Sequence, residues 1–203
     1  MTVIGYSDRI NHAFAFAAKH HDQQVRKGTR LPYLTHPANV AVILTRYGRD
    51  EETVVAGILH DVVESCVRDG WSVETLEERI GSKFGNSVLN TALSVAERRI
   101  DDDGVELSID DRHSDCLTRL TLASEDALWV SVAHNLHNVN TILSDLRRTS
   151  FPETVWGRFA AGREGTVRRY AQFADRLQEI GFRGAIADEL RTASHELRKL
   201  STG

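Results

Sequence analysis

The run Val54-Val55-Ala56-Gly57-Ile58-Leu59-His60-Asp61-Val62-Val63-Glu64-Ser65-Cys66 decides how this chain folds. Val55, Ile58, Leu59, Val62, Val63 and Cys66 recur at helical spacing over a stripe too broad for a surface helix, which predicts a helix at the centre of a bundle. At about 100° per residue, Gly57, His60, Asp61, Glu64 and Ser65 fall together in one sector of that helix. Buried carboxylates need a partner. A divalent cation supplies one, since an imidazole and a carboxylate from adjacent positions can reach the same ion, and Glu64, one turn on, is left to handle a water or its proton.

Helical spacing recurs outward from this run. Ile10, Phe14, Ala17 and Ala18 form one stripe, and Val40, Ile43, Leu44 and Tyr47 a second. Leu76 and Ile80, then Val88, Leu89 and Leu93, then Leu117, Leu120 and Leu122 continue it weakly. Trp129, Val132, Ala133, Leu136, Val139 and Leu143 restore it, and residues 155–159, the run Val167, Tyr170, Ala171, Ala174 and Leu177, and residues 185–200 predict the remaining helices. Sustained apolar–polar alternation is absent. Breaks fall at 27–37, 48–50, 69–71, 81–85, 101–104 and 181–184, and none reads as an interdomain linker. The expectation is an all-α, single-domain helical bundle over residues 1–203, with a core at about 8–180 and a C-terminal helix at about 185–200.

Composition narrows the function. With 41% hydrophobic and 27% charged residues and 3 prolines in 203, the chain has the makeup of a folded domain rather than a disordered tail. At this length about 70% of the unfolded surface can be buried, so folding needs no disulfide or structural metal. Twenty-five basic against 29 acidic residues give a net charge of −4, with no global pull toward nucleic acid or anionic membrane. Cys66 and Cys116 show no metal-binding or redox spacing and are expected reduced and mostly buried. Residues 1–11 lack a basic start followed by an apolar stretch, and apolar runs such as 13–18 are too short to span a bilayer, so the protein is expected in the cytoplasm.

Two further stretches carry chemistry. Arg26-Lys27-Gly28-Thr29-Arg30-Leu31-Pro32-Tyr33-Leu34-Thr35-His36-Pro37 is a loop leading into a helix; arginine and lysine beside a glycine suit phosphate oxygens. Thr35 is expected to N-cap the helix, with Pro37 in its first turn holding His36 at a rigid start. In Val132-Ala133-His134-Asn135-Leu136-His137-Asn138-Val139-Asn140-Thr141, the residues His134, Asn138 and Thr141 share a face opposite the stripe of Trp129, Val132, Leu136 and Leu143.

In this order and spacing, the three pieces resemble an HD-domain metal-dependent phosphohydrolase. Within that superfamily the chain looks most like the RelA/SpoT-type small alarmone hydrolases, which remove the 3′-pyrophosphate of (p)ppGpp. The resemblance runs from about Ile10 to Leu177. It rests on the opening Ala13-Phe14-Ala15-Phe16-Ala17-Ala18-Lys19-His20, on Arg26-Lys27 with Tyr33 through His36-Pro37, and on the helix ending His60-Asp61-Val62-Val63-Glu64-Ser65. The later helix, Val132-Ala133-His134-Asn135-Leu136-His137-Asn138, completes it.

Carried over residue by residue, the resemblance implies one divalent metal, manganese first, held by His36, His60, Asp61 and His134. It makes Glu64 and Ser65 the catalytic pair, Arg26 and Lys27 the phosphate-binding pair, and Asn138 and Thr141 part of the nucleotide pocket. The partner implied is a small-molecule nucleotide, with neither nucleic acid nor membrane.

This chain departs from the family pattern twice. His134 stands where the family has aspartate, which widens the metal choice to iron, nickel or zinc. Ser65 stands where the family has a second carboxylate, and serine cannot act as a general base near neutral pH, leaving Glu64 alone. Two further readings follow: a phosphohydrolase for another nucleotide or phosphoester, and a domain that binds nucleotide or metal as a sensor without turnover.

Overall fold

The structure is a computed structural model that describes residues 6–101 and 103–201. Residues 1–5 and 202–203, and Asp102 of the acidic loop, lie outside them. The described residues are all-α, and their extended pairings are two isolated antiparallel bridges, Val25 with Pro32 and Ile100 with Glu106. Two compact units divide the chain, Met1–Ala96 and Glu97–Gly203.

The first unit is built on α3, Glu51–Arg68, which packs against α1 (Asp8–His20), α2 (Thr35–Arg46) and α6 (Asn86–Val95). Every residue of α3 from Thr53 to Val63 is buried, as the breadth of its apolar stripe demands. Each fully buried Ile, Leu or Val there contributes about 1.5–3 kcal/mol. Asp50 starts the helix: its Oδ1 accepts from the backbone N–H of Thr53 at 2.9 Å, and Glu51 and Glu52 lie against the positive end of the dipole. Gly57 is the point of closest approach to α2, since a Cβ there would stand 2.5 Å from Leu44 Cδ1 and 3.2 Å from Val40 Cγ1.

Between α3 and α6 the chain is helical almost throughout. It forms α4 (Val73–Leu76), a π-helical turn (Glu77–Gly81) and α5 (Ser82–Phe84). The break expected to open at Gly81 therefore falls only at Gly85, whose φ of 92° ends the helix. Gly81 stays helical, and only glycine fits there, since the Asn86 side chain occupies the space a Cβ would take, with Oδ1 2.3 Å from its ideal position.

The second unit holds α7 (Ile109–Arg119), α8 (Glu125–Arg148), α9 (Glu153–Trp156), α10 (Gly162–Glu179) and α11 (Ala185–Ser201). The buried residues of α8, among them Val132, Leu136, Val139 and Leu143, belong to the helix that packs on α11, where Ile186, Leu190, Ala193 and Leu197 are buried. Trp129, expected in that core stripe, is half-buried; its indole Nε1 reaches Glu125 at 3.3 Å and its ring meets Phe182 edge-on. Leu122, also expected in a stripe, is 86% exposed, because α7 ends at Arg119 and the chain turns there, Leu122 N–H donating to the Arg119 carbonyl. The helix expected at 155–159 is the single turn α9. Neither cysteine is in a disulfide; Cys66 is buried and Cys116 half-buried.

Candidate metal centre

α2 delivers the first candidate ligand. Thr35 is not the cap expected of it: Leu34 already has helical dihedrals, Thr35 is the first residue of the helix, and its hydroxyl donates to the Pro32 carbonyl at 2.8 Å. The turn from Pro32 runs straight into α2 and leaves no extended residue for a side-chain cap to serve. Pro37 lies in the first turn, and His36, at 0% exposure, is fixed at the helix start.

α3 delivers two more. His60 and Asp61 are both buried, with His60 Nε2 3.2 Å from Asp61 Oδ1 and His36 Nε2 3.5 Å from Asp61 Oδ2. The imidazole rings of His36 and His60 stand 5.4 Å apart, centroid to centroid. One ligand atom from each of the three residues lies within 4.8 Å of the others. Ligand atoms bonded at about 2.0–2.2 Å to a common ion stand about 3–4 Å apart, so the cluster needs little adjustment to close on one.

The tautomer of His60 is settled by its neighbour. Nδ1 lies 2.7 Å from the Gly57 carbonyl oxygen, which can only accept, so Nδ1 carries a proton and Nε2 is the ring nitrogen turned toward Asp61. A histidine held at one nitrogen by a carbonyl and offering the other is the arrangement metal-ligating histidines use. Two imidazole nitrogens and a carboxylate oxygen suit a first-row divalent ion, so the residues fit such a cation.

The other expected groups of the first unit lie on α3 itself and on the loop that precedes α2. Glu64 is half-buried one turn beyond His60. Ser65 is buried, and its Oγ accepts from Arg68 Nη2 at 3.3 Å. Arg26 is half-buried and Lys27 exposed, on a loop closed by the Val25–Pro32 bridge and by Arg26 N–H donating to the Leu31 carbonyl at 3.0 Å.

In the second unit His134, Asn138 and Thr141 are all half-buried on α8. Asn138 Nδ2 donates to His134 Nε2 at 2.9 Å, which makes Nε2 the acceptor nitrogen of that ring. The Thr141 hydroxyl turns back to its own helix and donates to the His137 carbonyl.

Sequence reasoning placed Gly57 in the polar sector and Tyr33 in the loop without giving either a role, and it passed over His21. Gly57 lies one helical turn before His60, and His21 lies three residues before Gln24 across the turn that follows α1, where the Gln24 N–H donates to the His21 carbonyl. His21 Nδ1 lies 3.0 Å from Gln24 Oε1. Burial pushes the His21 ring below its usual pKa and the Tyr33 phenol well above its own, the Asp61 carboxylate adding to the second shift.

A buried His–Asp pair on a central helix, joined by a histidine at the start of the preceding helix, defines a class of helical metal-site domain, and the comparisons name it. The family model described as HD domain matches residues 13–167, and the chain belongs to that family. A guanosine-3′,5′-bis(diphosphate) 3′-pyrophosphohydrolase of Aquifex aeolicus is 39% identical over 83 residues, 41% of this chain and 11% of that protein. A GTP pyrophosphokinase of Myxococcus xanthus is 30% identical over 138 residues, 66% of this chain and 17% of that protein. The chain thus spans well under a fifth of the length of these two relatives.

Among solved structures, a metazoan ortholog of SpoT that hydrolyses ppGpp superposes with a TM-score of 0.73 at 24% identity, covering 98% of this chain and 99% of that one. That likeness shows the fold. The Listeria monocytogenes protein lmo0812 matches at a TM-score of 0.59 and 26% identity, over 82% of this chain and 96% of that one. Among the described residues, no helix is long and apolar enough to cross a membrane.

Proposed function

We propose that this chain is a metal-dependent phosphohydrolase that removes the 3′-pyrophosphate of (p)ppGpp-like nucleotides. The observation that carries it is the His36–His60–Asp61 cluster, buried and with His60 Nε2 turned toward Asp61. The Aquifex and SpoT relatives, named for this chemistry, support the substrate class. The family match crosses both units, which supports reading 1–203 as one functional domain.

In this reading His36, His60 and Asp61 hold one divalent cation, manganese by the family resemblance, and His134 supplies a fourth ligand once its Nε2 gives up the hydrogen bond from Asn138. A cation there would polarise the phosphate and lower the pKa of water. Glu64, half-buried beside the cluster, accepts the proton as water attacks. Arg26 and Lys27 neutralise the departing pyrophosphate, and Asn138 and Thr141 line the nucleotide pocket. Ser65 orients by hydrogen bonding where the family has a carboxylate.

The test is pyrophosphate release from a nucleotide panel by protein reconstituted with Mn²⁺, alongside a chelated control. Release from (p)ppGpp that depends on the metal and is lost in His60→Ala upholds the reading. Metal-dependent release from other phosphoesters alone keeps the phosphohydrolase and changes the substrate. Ser65 favours one second reading, a sensor, which predicts nucleotide binding without release.

A further inference from the structure

The basic loop before α2 carries a third cation, Arg30, which none of the roles above explains. No aspartate or glutamate lies between Asp22 and Asp50, although the chain as a whole has more acidic than basic residues. The charges of Arg26, Lys27 and Arg30 are therefore uncompensated within their own stretch of sequence. Lys27 and Arg30 are exposed and make no ion pair with a carboxylate among the described residues.

The backbone draws Arg30 beside Arg26. The Arg26 carbonyl accepts from the Thr29 N–H and from the Thr29 hydroxyl, each at 3.0 Å, and the Arg26 N–H donates to the Leu31 carbonyl at 3.0 Å. Both residues that flank Arg30 are thus bonded to the backbone of Arg26, and the Leu31 N–H in turn donates to Thr29 Oγ1 at 3.2 Å. Gly28 makes the turn with a φ of 71°, where other residues would be strained. The Arg26 guanidinium is anchored against the fold, 5.6 Å from the centre of the Tyr33 ring.

We infer that Arg30 binds the 5′-diphosphate of the nucleotide and so sets a preference for substrates phosphorylated at both ends. The inference rests on the (p)ppGpp reading above. Such a substrate carries two separate polyanionic arms on one ribose. Arg26 and Lys27 meet the arm that departs, and Arg30 is the cation of the loop that remains for the other. A planar guanidinium takes two oxygens of one phosphate at once, which suits a terminal phosphate. The 5′ arm takes no part in the bond that breaks, so a contact to it acts equally on bound substrate and transition state. Its loss therefore raises KM and leaves kcat unchanged.

The experiment compares the original chain with Arg30→Gln and Lys27→Gln, all loaded with Mn²⁺. It measures KM and kcat for ppGpp and for guanosine 3′-diphosphate, which lacks the 5′ arm, and follows GDP, which has only that arm, by calorimetry. Arg30→Gln should raise KM for ppGpp and weaken GDP binding about fivefold or more, with kcat unchanged and KM for guanosine 3′-diphosphate within about twofold. Lys27→Gln should raise KM for both substrates. Equal rises for both substrates in Arg30→Gln would reduce Arg30 to general surface charge and overturn the inference, as would no rise for either. If the original chain hydrolyses neither substrate, the phosphohydrolase reading fails by itself. GDP binding then decides the present inference, upheld by a fivefold loss in Arg30→Gln and overturned by unchanged affinity or by no binding to the original chain.

Discussion

His60 Nδ1 donates to the carbonyl oxygen of Gly57, one turn back on the same helix, at 2.7 Å. The same glycine takes α2 so close that a methyl group in its place would meet Leu44. One residue thus fixes the rotation of a candidate ligand and the separation of the two helices that carry His36 and His60. Gly57→Ala should destabilise the fold by about 1–3 kcal/mol through overpacking, read by urea denaturation. It should also weaken Mn²⁺ binding, because α2 must move and takes His36 with it.

Metal should stabilise the folded chain. Binding to the folded state alone adds about 2.7 kcal/mol when the free ion is 100 times its Kd, so the melting temperature should climb with Mn²⁺ concentration. His36→Ala and Asp61→Ala should abolish the rise. His134→Ala should reduce it if α8 supplies a fourth ligand and leave it intact if three ligands suffice. Thermal scans with and without chelator decide between those outcomes.

Ser65→Asp restores the carboxylate that the family pattern carries at this position. A third acidic group beside Asp61 and Glu64 would ordinarily be costly without metal. Arg68, whose Nη2 already reaches Ser65 Oγ at 3.3 Å, is placed to receive it, so the loss of stability in metal-free protein should be small. With metal, kcat should rise about 10-fold or more with KM little changed, the mark of a group acting in the transition state. An unchanged kcat would mean that Glu64 and its surroundings already do all the proton handling.

The cap of α3 predicts a pH dependence. The Thr53 hydroxyl and backbone N–H both donate to Asp50 and hold its carboxyl below the ordinary value of 3.8. A depressed carboxylate contributes stability above its unfolded pKa and loses it as pH falls through the folded one. Asp50→Ala should therefore cost about 1 kcal/mol near neutrality, and the difference from the original chain should shrink as pH falls below the ordinary carboxylate value of 3.8. Chemical denaturation at a series of pH values checks both the size and the direction.

The breadth of the apolar stripe on α3 was enough to place that helix at the centre, because a helix buried on nearly every side must be apolar on nearly every side. The pairing of His60 with Asp61, and the nearness of His36, followed from spacing and family pattern for the same reason: ligands on rigid helices keep the geometry that their register dictates. What stayed hidden was decided by how particular side chains and turns pack against one another, which periodicity does not record. Nothing in the run around Gly81 announces that the Asn86 side chain will fill its missing Cβ and let a helix continue through it. Thr35 looks like a cap until the turn at Pro32 brings a carbonyl to its hydroxyl. Tyr33 reads as one more loop aromatic until its ring is seen between His21 and His36.

The Val25–Pro32 bridge has a consequence for how such a domain can change over time. It pinches the basic loop at its neck, so residues 26–31 form a closed tip whose length and chemistry are insulated from the turn that launches α2. Insertions or charge changes in the tip are absorbed above the pinch and leave His36 where it is. If the tip meets the substrate as proposed, substrate choice can drift in a lineage, or be rewritten by an engineer, through a handful of surface codons, while the buried His36–His60–Asp61 cluster is inherited unaltered.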